Sequence, residues 1–537
     1  MIKGCKTKKI EFIDCAAPGF SFFHDCIPRA WKRDGLFSDN PLHRICSLMR
    51  KMQVKSFCYE ELETNGCMEG EFKALSQKIG ASIEGEIIQL SFFNKQISSI
   101  DDLEQGRNKS FLGYAVIINA KHPDGTYTTY IPQSVIKTPT IYNTKLLTPD
   151  GVNKTNQYIH TAKYFKAFID NKELELYGCF YCQQNGLTNA CAHASLRMVI
   201  NNLPTESYNI DYEDINKILS IVHTNDKEQS AGLTQEQIKQ VLKSYNLGTI
   251  TQNYFSEPNM HYEDFVYTIV ESGYPCLLVF TTDTDSHVVP IVGHTLNTDI
   301  WYPEAKFYYR SFSDLSFHPS NSWVDHFVMH DDNLGMYYNL PTSALNRITL
   351  PSADPNFRVY CAIGILPEGI NFSPSIAQRD ASSYLESFLS FYKDSDKIES
   401  RWLDAFLCHD SQNRFPVIRT LLINKKDYID HLKEISVDYP DEAFDFIDEA
   451  LGESEWFWLN EITLPDLYTA NKTKVGDILI KASTEEGEEK EKTYRLLRLA
   501  EIMISPQKEK IYTHPTEVSH HDIFCPQKND AAEFLDW

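Results

Sequence analysis

The sequence predicts an α+β fold, and three observations lead to it. Helical patterns come first and in succession, between about residues 190 and 273. Short runs rich in Val, Ile and Phe come after them, so helices and strands are segregated rather than alternating as in a parallel βαβ sheet. The third observation is composition: 42% hydrophobic and 12% aromatic residues in a chain of 537 are the values of folded domains. At about 150 residues per domain the length divides into three. The pattern places these at 1–165, 166–366 and 367–537.

In the first region, "FLGYAVIINA" (Phe111 to Ala120) and "TYTTYIPQSVI" (Thr126 to Ile136) read as strands. They are joined through "KHPDG", whose Asp124-Gly125 pair is a hairpin turn signal. The second region opens with "QQNGLTNACAHASLRMVI", Gln183 to Ile200. Polar residues run up to Asn189, and Cys191 then starts an apolar pattern with Ala192, Leu196, Val199 and Ile200 on one face. That spacing predicts a helix beginning at or next to the cysteine. In "LTQEQIKQVLKSYNLG", Thr234 and Gln237 form a capping-box pattern. Ile238, Val241, Leu242 and Tyr245 make the buried stripe, and Gly248 is placed to end the helix. "YEDFVYTIVESG" repeats the plan with Phe265, Ile269 and Gly273. "CLLVFT", "HVVPIVGHT" and "HFVMHDDN" then read as core strands.

The third region follows "PEGINFSP", an extended connection. A helix is expected around Ser383 to Tyr392, and strands at "RTLLI", "FWLNEITL" and "KVGDILIKAS". "TEEGEEKEK" reads as an acidic, solvated hairpin tip. Trp456 and Trp458 belong either to the core or to a contact surface.

The net charge of −23 argues against nucleic-acid and anionic-membrane partners, which need clustered Lys and Arg. No stretch approaches 18 apolar residues, so no membrane span is expected. The opening "MIKGCKTKKIEFIDCAAPGF" has no continuous apolar core and does not read as a secretory signal. Thirteen cysteines, an odd and scattered set, fit reduced thiols better than a disulfide framework. A cytoplasmic protein is therefore expected, with its oligomeric state left open.

A thiol at a helix N-terminus sits where the macrodipole favours the thiolate, the nucleophilic form. A cysteine nucleophile also needs a base, and an orienting group for that base. His287, in "DTDSHVVPIVGHT", stands where a polar loop becomes an apolar strand. His294 and His330 compete with it from adjacent elements. Asp331, in "WVDHFVMHDDNLGMY", directly follows an apolar run and is the orienter, with Asp332 and Asn333 as near alternatives. Gln184, seven residues before Cys191, can join the Cys191 backbone N–H in an oxyanion hole.

Gln, then Cys at a helix start, then His opening a strand, then Asp on a later strand, resembles the papain-like cysteine peptidases. The likeness is greatest to bacterial bacteriocin-processing-type domains, whose third residue is Asp, and it covers about residues 170–366. It implies a papain-like core whose helical half carries Cys191 as nucleophile. Its antiparallel sheet would carry His287 as base and Asp331 as orienter, with Gln184 as oxyanion donor. It also implies protein or peptide substrates, cleaved at peptide or isopeptide bonds, but leaves the flanks unexplained; these are expected to govern substrate access, and neither cofactor nor metal is expected. Two features depart from the pattern. The family's Gln usually stands six residues before the Cys, where this chain has Asn185. About thirty residues, including "WYPEAKFYYRSFSDLSFHPSNSW", separate the His and Asp strands.

The same triad also serves acyl transfer to an amine, as in transglutaminase-like enzymes. A different class is a non-catalytic, zinc-containing binding module. Cys179, Cys182, Cys191 and His193 are zinc-ligand types, although Cys191 and His193, two apart on a helix, point to different faces. The "SHHDIFC" tail, with His520, His521 and Asp522, reads as a polar loop.

Overall fold

Three largely antiparallel sheets follow one another along the chain. The computed structural model describes residues 5–15, 40–64, 68–138, 142–147, 153–155, 157–159, 161–188, 190–203, 209–221, 232–254, 261–281, 286–295, 310–311, 316–342, 358–393, 415–435, 439–484, 493–499, 501–513 and 520–526. The first sheet runs, edge to edge, Thr7–Asp14, Ser56–Leu62, Glu84–Phe93, Phe111–Lys121, Tyr127–Lys137, Lys172–Tyr181 and Lys163–Ile169. Its hairpin turns at Asp124-Gly125 as expected. The Asp124 carboxylate accepts from the Thr126 N–H and hydroxyl, and Gly125 takes φ +86°, a conformation open to glycine without strain. Phe111–Lys121 is buried at every residue but the last, hence its continuous apolar run.

The division expected at residue 165 falls inside the strand Lys163–Ile169. That strand pairs with Lys172–Tyr181, which pairs in turn with Tyr127–Lys137. The first sheet therefore extends to Tyr181, ten residues before Cys191.

The second sheet runs Leu247–Asn253, Arg358–Pro367, Cys276–Thr281, Ser286–Thr295, His326–Asp331 and Gly335–Pro341, each antiparallel to its neighbour. The helices Cys191–Asn202, Tyr212–Leu219, Gln235–Ser244 and Tyr262–Glu271 precede most of these strands in the chain. The α+β class is thus observed. Thr234 and Gln237 exchange the two capping bonds, at 2.9 and 3.3 Å. Gly248 does not end that helix. It lies in the strand Leu247–Asn253, where a Cβ would come 2.5 Å from the Pro367 carbonyl oxygen. The glycine is needed for close strand approach, and the left-handed residue after the helix is Asn246.

The third sheet contains Ser316–Pro319, Val417–Asn424, Trp456–Thr463, Gly476–Lys481, Tyr494–Leu499, Ile502–Ser505 and Lys510–Thr513, with Arg310–Ser311 at its edge. Helix Pro374–Lys393 begins nine residues earlier than Ser383. Ser316–Pro319 comes from the long segment between the His and Asp strands, and it pairs in parallel with Val417–Asn424. That segment thus crosses into the third sheet, although residues 301–309 and 312–315 lie outside the described residues. The acidic tip expected at 485–492 also lies outside them. Trp458 is core: its side chain is fully buried and its indole N–H donates to the Phe372 carbonyl at 2.8 Å.

The apolar cores do not respect the expected division. One joins the first sheet to Ala194, Met198, Val292, Val328 and Tyr337. Another joins helix Tyr262–Glu271 and its strands to Leu385, Trp458 and Ile478. Buried charges reinforce the second contact, since Glu271 meets His294 at 2.5 Å and Arg419 at 2.6 Å. Among the described residues no helix is long and apolar enough to cross a membrane. Nine described cysteines are free thiols, whereas Cys5 is disulfide-bonded, an exception to the all-reduced expectation.

Candidate active site

Helix Cys191–Asn202 begins at the cysteine, and from Ala192 onward all its residues are buried. One face, with Ala192, Leu196, Val199 and Ile200, packs into the core beneath the second sheet, as the spacing predicts. The opposite face, with Ala194 and Met198, packs on the first sheet. A helix enclosed on both sides cannot be simply amphipathic, and its polar residues must find internal partners. They do. Asn202 exchanges two hydrogen bonds with the Phe180 backbone, at 2.6 and 3.0 Å. The Arg197 guanidinium donates to the Pro132 and Ile210 carbonyls and pairs with Glu71.

Ser195, one turn after Cys191, donates to the Val288 carbonyl at 2.8 Å. Residues four apart share a helix face, so this bond draws the cysteine's face against the strand beside His287. The thiol lies close enough to the ring to help hold its proton. His287 Nε2 lies 3.2 Å from Asp331 Oδ2 and 3.5 Å from Asp332 Oδ1. With Nε2 turned to the carboxylates, Nδ1 is the ring nitrogen left for the thiol.

Electrostatics follow from this geometry. Burial pushes the His287 ring down. Hydrogen bonds to Asp331 and Cys191, with the charges of Asp332 and Asp331, outweigh it and raise the ring to about 10. Burial also pushes Asp331 up, but His287 and the backbone N–H groups of Asn333 and Leu334 bring it below the usual carboxylate range. Asp332 stays up at about 7, because burial outweighs the attraction of His287 and the Asp331 charge adds to it.

The turn carrying the two aspartates is held by the first region. Tyr181 donates from its hydroxyl to the Asp331 carbonyl at 3.1 Å. Arg44, on helix Asn40–Lys51, donates to the Met336 carbonyl at 2.9 Å and also to that of Tyr337. Gln184 reaches the same corner, its amide donating to Asn333 Oδ1 at 3.0 Å. Asn185, six residues before Cys191, is buried and holds its own loop. Its Oδ1 accepts from the Leu187 and Thr188 N–H groups, and its amide donates to the Thr188 hydroxyl.

The competing histidines are placed elsewhere. His294 is buried against Glu271 and the Thr295 carbonyl. His330 is fully buried between Tyr181 and Tyr337, and burial pushes its ring down to about 3. The zinc-type set does not assemble either. Cys182 faces the Ala194 carbonyl, and Cys179 contacts the Thr161 hydroxyl. His193 accepts from the Ala190 N–H and bonds to Asn216, capping its own helix. Among the described residues one group of three metal-ligand types does come together: His287, Asp331 and Asp332, with ligand atoms within 4.8 Å of one another. The sequence offers Asp332 only as an alternative to Asp331. Two adjacent aspartates ending a strand were the available signal, but which one turned inward was set by the turn.

A cavity of about 170 Å³ opens beside the loop preceding Cys191, lined by Thr188, Asp211, Tyr212, Asn216 and Lys217 among others. No protein-family model matches this chain, and neither a curated protein nor a solved structure matches it.

Proposed function

We propose that the protein is a cysteine hydrolase that cleaves peptide or isopeptide bonds through Cys191, His287 and Asp331. One observation carries this: a half-buried thiol at a helix N-terminus acts on an imidazole whose Nε2 meets a carboxylate at 3.2 Å. A nucleophile, a base and an orienting group in that order are what acyl transfer to sulfur requires. The imidazolium form dominates at neutral pH, since the ring titrates near 10. In this reading the thiol proton rests on His287 and the sulfur attacks as the thiolate.

The Cys191 sulfur attacks the substrate carbonyl carbon, and the oxygen takes the electron pair. First-turn N–H groups have no partner within their helix, so the Cys191 amide is the first donor for that oxyanion. Gln184 supplies a second from a side chain already anchored on Asn333. The intermediate collapses as protonated His287 gives its proton to the leaving amine, leaving a thioester. The neutral ring then takes a proton from water, and the hydroxide attacks the thioester. Collapse expels the thiolate and restores the ion pair.

The test is a fluorogenic peptide library with an electrophilic thiol probe on the full-length protein. Wild type is expected to turn over and to be labelled at Cys191, and Cys191→Ala to do neither. Stoichiometric labelling elsewhere, or turnover by Cys191→Ala, refutes the assignment.

A further inference from the structure

We propose that His287, Asp331 and Asp332 form a binding site for a borderline divalent cation of the zinc class. The three side chains are the one group of metal-ligand types gathered among the described residues, within 4.8 Å. Their spacing fits an ion. A tetrahedral zinc with bonds of about 2.0–2.1 Å separates its ligand atoms by about 3.3 Å. His287 Nε2 stands 3.2 Å from Asp331 Oδ2 and 3.5 Å from Asp332 Oδ1.

The second observation is Asp332 itself. Its side chain is fully buried, and neither carboxylate oxygen has a hydrogen-bond partner. Buried polar atoms are almost always satisfied, and an exception calls for a missing partner. Asp331 differs in a telling way. Its Oδ1 accepts the N–H groups of Asn333 and Leu334 at 2.8 and 2.9 Å, which leaves Oδ2 pointing to the ring. One Asp331 oxygen is thus fixed by the backbone, while the other and the Asp332 carboxylate face the same nitrogen.

The donor set selects the ion. One imidazole nitrogen and two carboxylate oxygens suit zinc, and zinc outranks manganese on such a site. Calcium needs six or more oxygens, and magnesium retains most of its water. Cys191 is not in the group. The site does not depend on the hydrolase reading. If that reading holds, the cation also stops turnover, because a ring bound to metal at Nε2 cannot take up and release the proton that Nδ1 exchanges.

The experiment uses the full-length protein, stripped with a chelator and titrated with Zn²⁺ by calorimetry and by equilibrium dialysis, with Mg²⁺ as control. Wild type and Cys191→Ala are each expected to bind one ion per chain. Asp332→Asn is expected to bind more weakly by over about tenfold, the least that loss of a supporting carboxylate costs. His287→Gln, at the more accessible edge of the site, gives a second variant should Asp332→Asn fail to fold. No stoichiometric binding by wild type overturns the proposal. So does binding that is lost in Cys191→Ala and kept in Asp332→Asn or His287→Gln, since the ion would then sit on the thiol.

Discussion

Asp331→Asn tests the electrostatic logic of the site most directly. The substitution removes the charge that meets His287 Nε2 at 3.2 Å, yet its amide oxygen can still accept the N–H groups of Asn333 and Leu334. In the wild type, burial pushes the ring down while Asp331, Cys191 and Asp332 raise it from 6.5 to about 10. That net displacement favours the imidazolium by on the order of 5 kcal/mol. One opposite charge at this range accounts for about 1–3 pH units. The alkaline limb of kcat/KM is therefore expected to fall near pH 10 in wild type and about 1–3 units lower in the variant. At neutral pH the variant should lose about 10⁴ in turnover, the loss seen when an orienting carboxylate is neutralised. The assay is peptide hydrolysis across pH, with active sites counted by a thiol probe. An alkaline limb that stays in place, with turnover within about threefold of wild type, refutes the reasoning.

Three further outcomes are expected. Since the folded-state ring of His287 is raised above its unfolded value, its stabilising contribution is fully present below pH 6.5 and lost as pH rises through about 10. Urea midpoints of wild type should drop across that window more than those of His287→Gln, and parallel curves count against the shift. Lys472 shows the opposite sign: its buried Nζ lacks a hydrogen-bond partner and burial pushes it down to about 7. Lys472→Met should therefore stabilise by on the order of 4 kcal/mol at neutral pH and by little above pH 10.5, where the unfolded lysine is also neutral; equal gains at both pH values refute it. Finally, a fragment spanning 166–366 should aggregate, because it cuts the strand Lys163–Ile169 and exposes both shared cores. A soluble fragment that retains thiol labelling in gel filtration would show that the domain stands alone.

Much of the local structure was legible in the sequence. The Asp124-Gly125 hairpin, the Thr234–Gln237 capping box, the helix starting at Cys191 and the strands carrying His287 and Asp331 all follow from turn chemistry and apolar period, which act over a few residues. Those signals also singled out Cys191, His287 and Asp331, three residues that share a corner although 96 and 44 positions separate them in turn. Periodicity could not show that Lys163–Tyr181 closes the first sheet, because strand pairing depends on partners far along the chain. For the same reason Gly248 looked like a helix stop, although the Pro367 carbonyl of a distant strand dictates it. Only the tertiary structure decided that Asp332 turns inward beside His287 and is left without a hydrogen bond, while its neighbour Asp331 takes the backbone N–H groups. Adjacent aspartates are identical in composition and pattern. Burial and the path of the turn, held by Tyr181 and Arg44 from the first region, make them chemically different.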